Sequence, residues 1–357
     1  MQLALSNHGL RNSGGIERYA LTLVRGLHER GIRPVFIAKK FDAALPEVAW
    51  VEAVRVRMTG LPGKLHDLWF DRRIRAIKRR RGLFPLIACN QTGAADIAIC
   101  GSTHPGYLEA MGLRAGTSDR WKIGLEHAHL HNARVVVAHS QRMADEAARF
   151  HGVPSDKIRL LYPPVDGARF DTVDNEARRR LRAELALPAD RCVFLLASTG
   201  HRRKGLDLLV DFFRATTLPV LLVVAGRPIP DAGPNVRYLG YRSDIENVYR
   251  AVDFTILAST YEPFGLVGVE SVLCGTPVLI AGGAGCAEVI AEPAQIAFDR
   301  ALPASLAAAI DTALARWRAG EARLAEPMRC LRYDPGVPNH LTALLDLAHG
   351  LAHAGAA

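Results

Sequence analysis

The sequence predicts an α/β protein made of two doubly wound domains, each with a parallel sheet. Three observations predict this. Short apolar strands alternate with amphipathic helices, and the alternation runs through twice, as it does when helices cover parallel sheets. The chain has 357 residues, longer than the roughly 250–300 at which single cores stop growing. Between the two runs, Tyr162-Pro-Pro-Val-Asp-Gly-Ala-Arg-Phe170 breaks the periodicity with turn formers and reads as an interdomain linker. The expected division is 1–165, 166–335 and a closing helical segment 336–357 that crosses back to the first domain.

The elements follow in order, each an apolar run bounded by turn residues or a helical stripe. Gln2 to Ser6 reads as a strand, Gly14-Gly15 as a turn, Ile16 to Arg30 as a helix and Arg33 to Ala38 as a strand. Further strands are expected at Trp50 to Val56, Leu86 to Asn90, Ile97 to Gly101 and Val135 to Ser140, with a helix from Gln141 to His151. The second run has a basic helix (Asn175 to Leu185), strand Cys192 to Ser198, helix Leu206 to Thr216 and strand Val220 to Gly226. Strand Val236 to Leu239, helix Ile245 to Ala251, strand Asp253 to Leu257, a helix from Leu266 and another strand follow, with a last helix over Leu341 to Leu351. Ligands of such sheets bind beyond the carboxyl ends of the strands, where Gly14-Gly15, His104, the Lys204 turn and the Glu262 loop all fall. The two domains are expected to face a central cleft.

Composition is that of a globular enzyme, with 49% hydrophobic and 23% charged residues and a mean hydropathy of +0.06. No apolar run is long enough to span a bilayer, and the N-terminus lacks the basic-then-apolar pattern of a secretory signal. A cytoplasmic location is the expectation. The six cysteines show no CxxC pairing and are expected to be reduced thiols acting as small hydrophobes, without structural zinc. In Glu126-His-Ala-His-Leu-His131, His127 and His131 share a helix face at metal-ligand spacing. No companion acid or cysteine completes a zinc signature, so a solvated face is favoured and neither metal nor cofactor is expected.

The net charge of +9 implies an anionic partner. Much of the excess lies in Asp71-Arg-Arg-Ile-Arg-Ala-Ile-Lys-Arg-Arg-Arg81, where Phe70, Ile74 and Ile77 form one stripe. The pattern suits peripheral contact with an anionic membrane as well as it suits a solvated helix packed on a sheet. No helix-turn-helix, RNP or zinc-finger signature points to nucleic acid.

The most informative run is Tyr261-Glu-Pro-Phe-Gly-Leu-Val-Gly-Val-Glu270, in which Glu262 and Glu270 stand eight positions apart. Glu262 precedes a helix and Glu270 lies about one turn inside it, so the carboxylates can reach different parts of one elongated ligand. The amides of Phe264, Gly265, Leu266 and Val267 lie at the helix start, where anions bind. The ordinary alternative is an exposed loop acid plus a capping acid. A second run, Ala197-Ser-Thr-Gly-His-Arg-Arg-Lys-Gly-Leu206, places Arg203 and Lys204 in a polar turn suited to gripping phosphate, or to facing solvent.

Together these segments resemble the retaining glycosyltransferases of family 4, which have the GT-B fold of two Rossmann-like domains. The resemblance takes in Gly14-Gly-Ile-Glu-Arg-Tyr19, Arg134-Val-Val-Val-Ala-His-Ser140, Ile158-Arg-Leu-Leu-Tyr-Pro-Pro-Val-Asp166, Arg202-Arg-Lys-Gly205 and the Glu262 to Glu270 run. Within the family, bacterial lipopolysaccharide-core glucosyltransferases are similar in the short turn before the Arg-Lys pair. The resemblance implies a nucleotide-sugar donor, a UDP-sugar favoured, and a saccharide or lipid-linked acceptor. Glu270 then holds the ribose hydroxyls, Glu262 those of the transferred sugar, and the amides of Phe264 to Val267 the diphosphate. Arg203 and Lys204 stabilise the leaving nucleoside diphosphate, Gly14 and Gly15 form the donor-facing turn, His104 stands near the reacting sugar, and Tyr241 and Arg242 lie toward the base. The sequence departs from the family in Pro163-Pro164, where Asn-Gly is usual, and in Gly282-Gly-Ala-Gly-Cys286, which replaces an Ile-Pro-Glu pattern.

No Asp-x-Asp triad occurs, so charge neutralisation is expected from protein groups, and retention from a front-face displacement. The rivals are a GT-B sugar-nucleotide epimerase, a noncatalytic nucleotide-sugar-binding protein and a weak nucleic-acid binder. A dinucleotide oxidoreductase is disfavoured because no GxGxxG follows the first strand.

Overall fold

The computed structural model describes residues 2–58, 60, 62–230 and 233–354. The chain separates into two units, Met1–Pro164 with Pro335–Ala357, and Val165–Asp334. Strands of the first unit are β1 (Ala4–Ser6), β2 (Gly9–Leu10), β3 (Val35–Ala38), β4 (Lys40–Phe41), β5 (Glu52–Arg55), β6 (Leu86–Ala88), β7 (Ile97–Cys100), β8 (Val135–Ala138) and β9 (Ile158–Leu160). Seven form one sheet in the order β5-β3-β1-β6-β7-β8-β9, parallel throughout, while β2 and β4 pair separately. Its helices are α1 (Gly15–Glu29), α2 (His66–Arg81), α3 (His104–Ala110), α4 (Thr117–Asn132) and α5 (Gln141–His151).

Alternation along each strand sends side chains to opposite faces. Leu5 and Phe36 join a core with Leu23 and Leu27 of α1, whereas Ala4, Val35 and Ile37 join one with Phe70, Ile74 and Ile77 of α2. Both faces are covered, as a parallel sheet requires. Of the two readings of the α2 stripe, lipid contact or a helix packed on a sheet, the packing matches the second. Phe70 and Ile74 are 0% exposed and Ile77 8%, so that face is spent on the sheet.

The second unit contains α6 (Asn175–Glu184), β10 (Cys192–Ser198), α7 (His201–Lys204), α8 (Leu206–Ala215), β11 (Val220–Gly226), β12 (Val236–Gly240) and α9 (Ile245–Ala251). It continues with β13 (Phe254–Leu257), α10 (Leu266–Leu273), β14 (Val278–Ala281), β15 (Gln295–Phe298) and α11 (Pro303–Arg318). The sheet order is β12-β11-β10-β13-β14-β15, again all parallel. Alternate residues of β10 and β13 (Phe194, Leu196, Phe254, Ile256) pack with Leu209 and Phe213 of α8 and Ile310 and Leu314 of α11. The first strand of each unit is central in its sheet, so the expected pair of doubly wound, Rossmann-like folds is present.

The closing helix α12 (Val337–Ala354) belongs to the first unit, where Leu341, Leu344, Leu345 and Ala348 complete the α1 core. Gly26 permits the crossing: a Cβ there would stand 3.0 Å from Leu341 Cδ2 and 3.1 Å from Val337 Cγ1. Strands β5 to β8 end one or two residues earlier than expected at their carboxyl ends, and at β8 the reason is Ser140. Its hydroxyl accepts from Met143 N–H at 3.2 Å and caps α5. Helices α3 and α11 and the edge strand β15 had no assignment from sequence.

Candidate active site

In the second unit, strand ends bring three of the candidate side chains into contact. Strand β10 runs into the single turn of α7, and Gly205 follows with φ +73°, a left-handed conformation. A Cβ at Gly205 would stand 2.2 Å from Ala258 O, so the α7 turn closes onto the end of β13 only with glycine there. Thr260 N–H then donates to Arg203 O at 2.8 Å, joining the two loops.

Glu262 receives the cations. Its Oε2 accepts a short bond from Lys204 Nζ, one from Ser259 Oγ at 2.9 Å and one from Arg203 Nη1 at 3.3 Å. Arg203 Nη1 also donates to Tyr261 O at 2.7 Å. Glu262 is 8% exposed, and burial alone raises a carboxyl pKa. The charges of Lys204 and Arg203, with the Lys204 and Ser259 hydrogen bonds, outweigh burial and hold Glu262 below its ordinary range. Two cations against one carboxylate leave an excess of one positive charge beside the start of α10.

The loop between Glu262 and α10 is held from the other side by the glycine-rich run after β14. Gly285 N–H donates to Glu262 O at 3.0 Å and Cys286 N–H to Phe264 O at 2.6 Å. Gly265 has φ +96°, and a Cβ there would meet Glu262 Cγ at 2.9 Å and Cys286 Sγ at 3.2 Å. The chain therefore turns tightly into α10, whose first amides, at Leu266 and Val267, occupy positions without an internal helical acceptor. Phe264 is buried edge-on to Tyr333, with ring centroids 6.3 Å apart.

Glu270 meets a different partner: buried within α10, it accepts from Tyr249 Oη at 3.1 Å. Tyr241, just after β12, is 74% exposed, and Arg242 pairs with Asp244 at 2.6 Å. All six cysteines are free and buried.

Gly14, Gly15 and His104 lie in the first unit. Gly14 caps α1, and nothing lies within 4 Å of a Cβ built on Gly15. His104 opens α3 beyond the end of β7, behind Thr103, whose hydroxyl caps the helix. Its Nε2 lies 2.9 Å from Asp119 Oδ1, and its backbone N–H donates to Glu126 Oε2 at 2.9 Å. The bond from His104, with that from the Gly116 N–H, holds Asp119 below the usual carboxylate range. Sequence reasoning missed both acids. They are seven residues apart on α4, two turns on one face, a spacing that the adjoining histidine run obscures in the sequence. His127 and His131 stack at 5.1 Å, and no group of three or more potential metal ligands occurs among the described residues.

Two doubly wound units with a cationic loop cluster at the strand ends of the second define the class: the chain has the GT-B fold. WaaG, a glycosyltransferase involved in lipopolysaccharide biosynthesis, superposes with a TM-score of 0.80 at 16% identity, covering 98% of this chain and 100% of WaaG. Anabaena Alr3699/HepE, solved with UDP and glucose, gives 0.75 at 18% identity, covering 97% and 98%. The Glycosyltransferase Family 4 model matches residues 13–169, and the Glycosyl transferases group 1 model matches 177–326. A probable transglycosylase of Burkholderia thailandensis is 47% identical over 351 residues, spanning 98% of this chain and 97% of the relative. A D-inositol 3-phosphate glycosyltransferase of Xylanimonas cellulosilytica is 27% identical over 349 residues, at 81% and 80% coverage. The chain belongs to glycosyltransferase family 4, and it is a glycosyltransferase.

Proposed function

We propose that the enzyme moves a sugar, with retention and without a metal, from a nucleotide-sugar donor to a saccharide or lipid-linked acceptor in bacterial lipopolysaccharide or cell-surface polysaccharide synthesis. The Val165–Asp334 unit holds the donor and the first unit the acceptor. The observation that carries this reading is the Lys204–Glu262–Arg203 cluster beside the start of α10. A diphosphate leaving group develops negative charge, and preorganised cations and amides stabilise it where no solvent must reorganise. Lys204 and Arg203 take that role, Phe264, Gly265, Leu266 and Val267 supply the loop and helix-start backbone, and Glu262 accepts hydroxyls of the transferred sugar. Glu270 takes the ribose, with Tyr241 and Arg242 toward the base and the Gly14-Gly15 turn facing the donor. His104 stands by the reacting sugar. Proton transfer from the acceptor to the departing phosphate on one face of the sugar gives retention. The UDP bound to Alr3699/HepE favours UDP-sugars, and the likeness to WaaG favours a lipopolysaccharide acceptor.

The relative's description as a transglycosylase leaves one reaction to separate, since that class moves a glycosyl group without consuming a nucleotide sugar. Incubation with UDP-, GDP- and ADP-sugars and lipopolysaccharide-core acceptors, in chelator, reads nucleoside diphosphate release and the product's anomeric NMR coupling. Acceptor-dependent release with retained configuration is expected. Sugar transfer without nucleotide release, or inversion, defeats the proposal. No helix among the described residues is long and apolar enough to cross a membrane. The proposed peripheral contact with an anionic membrane rests on exposed cations of α2 such as Arg72, Arg79 and Arg80.

A further inference from the structure

We propose that Arg300 is a third cationic residue of the donor site, presenting its guanidinium to the diphosphate of a nucleoside diphosphate or its sugar conjugate. This rests on the donor-site reading above. Arg300 lies two residues beyond the end of β15, a strand-end position like those of the Lys204 turn and the Glu262 loop. The end of β15 is tied to the glycine-rich run, since Gly282 N–H donates to Phe298 O at 3.0 Å. From there Arg300 reaches across the loops: its Nη1 donates to Thr260 Oγ1 at 2.6 Å. Thr260 is the residue whose N–H holds Arg203 O at 2.8 Å, so Arg300, Thr260, Arg203, Glu262 and Lys204 form one connected chain of contacts.

Arg300 differs from the other half-buried arginines of its unit in bonding neither a carboxylate nor a carbonyl: Arg191, Arg237, Arg250, Arg316 and Arg323 also lack an ion pair, but each donates to a backbone carbonyl. Arg178 and Arg182 share Asp253, Arg169 has Glu246 and Arg242 has Asp244. Among the described residues Arg300 forms no ion pair, and its Nε is buried without a hydrogen-bond partner, so its bonding capacity is only partly used. A guanidinium taken from water without an anion loses solvation that nothing returns, and its planar fork matches phosphate oxygens. With Arg300, joined through Thr260, included, the connected loops carry three cations and the single carboxylate Glu262. The excess of two positive charges has the magnitude carried by a diphosphate diester.

The test is calorimetric titration of inorganic pyrophosphate, UDP, GDP and ADP into wild type, Arg300→Met and Arg300→Lys, with melting temperatures in parallel. Arg300→Met is expected to weaken pyrophosphate and the preferred nucleoside diphosphate by about ten- to hundredfold, the span of a charged hydrogen bond. Arg300→Lys, which keeps the charge but not the fork, retains part of that affinity. Affinities within twofold of wild type in Arg300→Met overturn the inference alone. Wild type that binds none of the four ligands overturns the donor-site reading and this inference with it.

Discussion

Replacing Lys204 with methionine tests the cluster most directly. Methionine keeps much of the stem's volume and removes the charge from a pair whose side chains are 12% and 10% exposed. Breaking a buried pair outright costs about 3–5 kcal/mol, but Glu262 keeps Ser259 and Arg203, so the loss is smaller. One charged hydrogen bond of about 1.5–3 kcal/mol is the better measure. At about 2–4 °C for each kcal/mol in a unit of this size, the variant melts several degrees lower near neutral pH. The pH dependence has a defined sign. Because Glu262 is held below its ordinary pKa, its ionised form contributes stability above the unfolded carboxylate pKa and loses it as pH falls through the folded value. The gap between wild type and variant therefore narrows below about pH 4. Turnover should fall about 10²–10³-fold, as on losing one preorganised charge-stabilising donor. Calorimetric melts from pH 3 to 8, with nucleoside diphosphate release as the activity assay, check both. A pH-independent melting gap, or unchanged turnover, refutes the reasoning.

Three other outcomes are expected. Gly205→Ala meets Ala258 O at 2.2 Å and a left-handed φ, so it should lower the melting temperature and displace the α7 cations, which donor titration would show; unaltered affinity and melting would contradict it. His104→Ala and Asp119→Asn each lower turnover by about tenfold or more, and the double variant loses little beyond either single, because the two act as one unit; additive losses in a double-mutant cycle would separate them. Binding to anionic vesicles, if carried by the exposed arginines of α2, weakens steeply between low and physiological salt. Flotation that is insensitive to salt, or absent at low salt, removes that contact.

The fold was legible because two periods dominate the chain. Strands such as Val220–Gly226 are unbroken apolar runs, and helices such as Gln141–His151 carry one clean stripe between a serine cap and a glycine. Helix α11 was not legible, since two of its five buried residues are alanine (Ala309, Ala313), which marks helix well but face poorly. Strand β15 was missed because an edge strand buries little: Gln295 and Ile296 are half-buried and Ala297 exposed. The α2 stripe was read correctly as a stripe, but hydrophobic spacing does not say which apolar surface it meets. At the site, spacing placed Arg203, Lys204 and Glu262 on neighbouring strand ends, and the direct bond among them became visible only through the register of β10 against β13. Asp119 escaped because an acid at the third helical position looks like an ordinary cap. Arg300 escaped because a lone arginine after an edge strand has no sequence signature.

The packing of α12 on α1 ties the start of the chain to its finish. Leu341, Leu344 and Leu345 are buried against a helix some 320 residues earlier, with the whole second unit emerging between them during synthesis. While that intervening stretch leaves the ribosome, Leu23 and Leu27 lack their final cover, and the nascent first unit shows the sticky surface that chaperones recognise. The second unit, continuous in sequence, meets no such delay. The first unit therefore receives its last core helix only after the whole of the second has been synthesised.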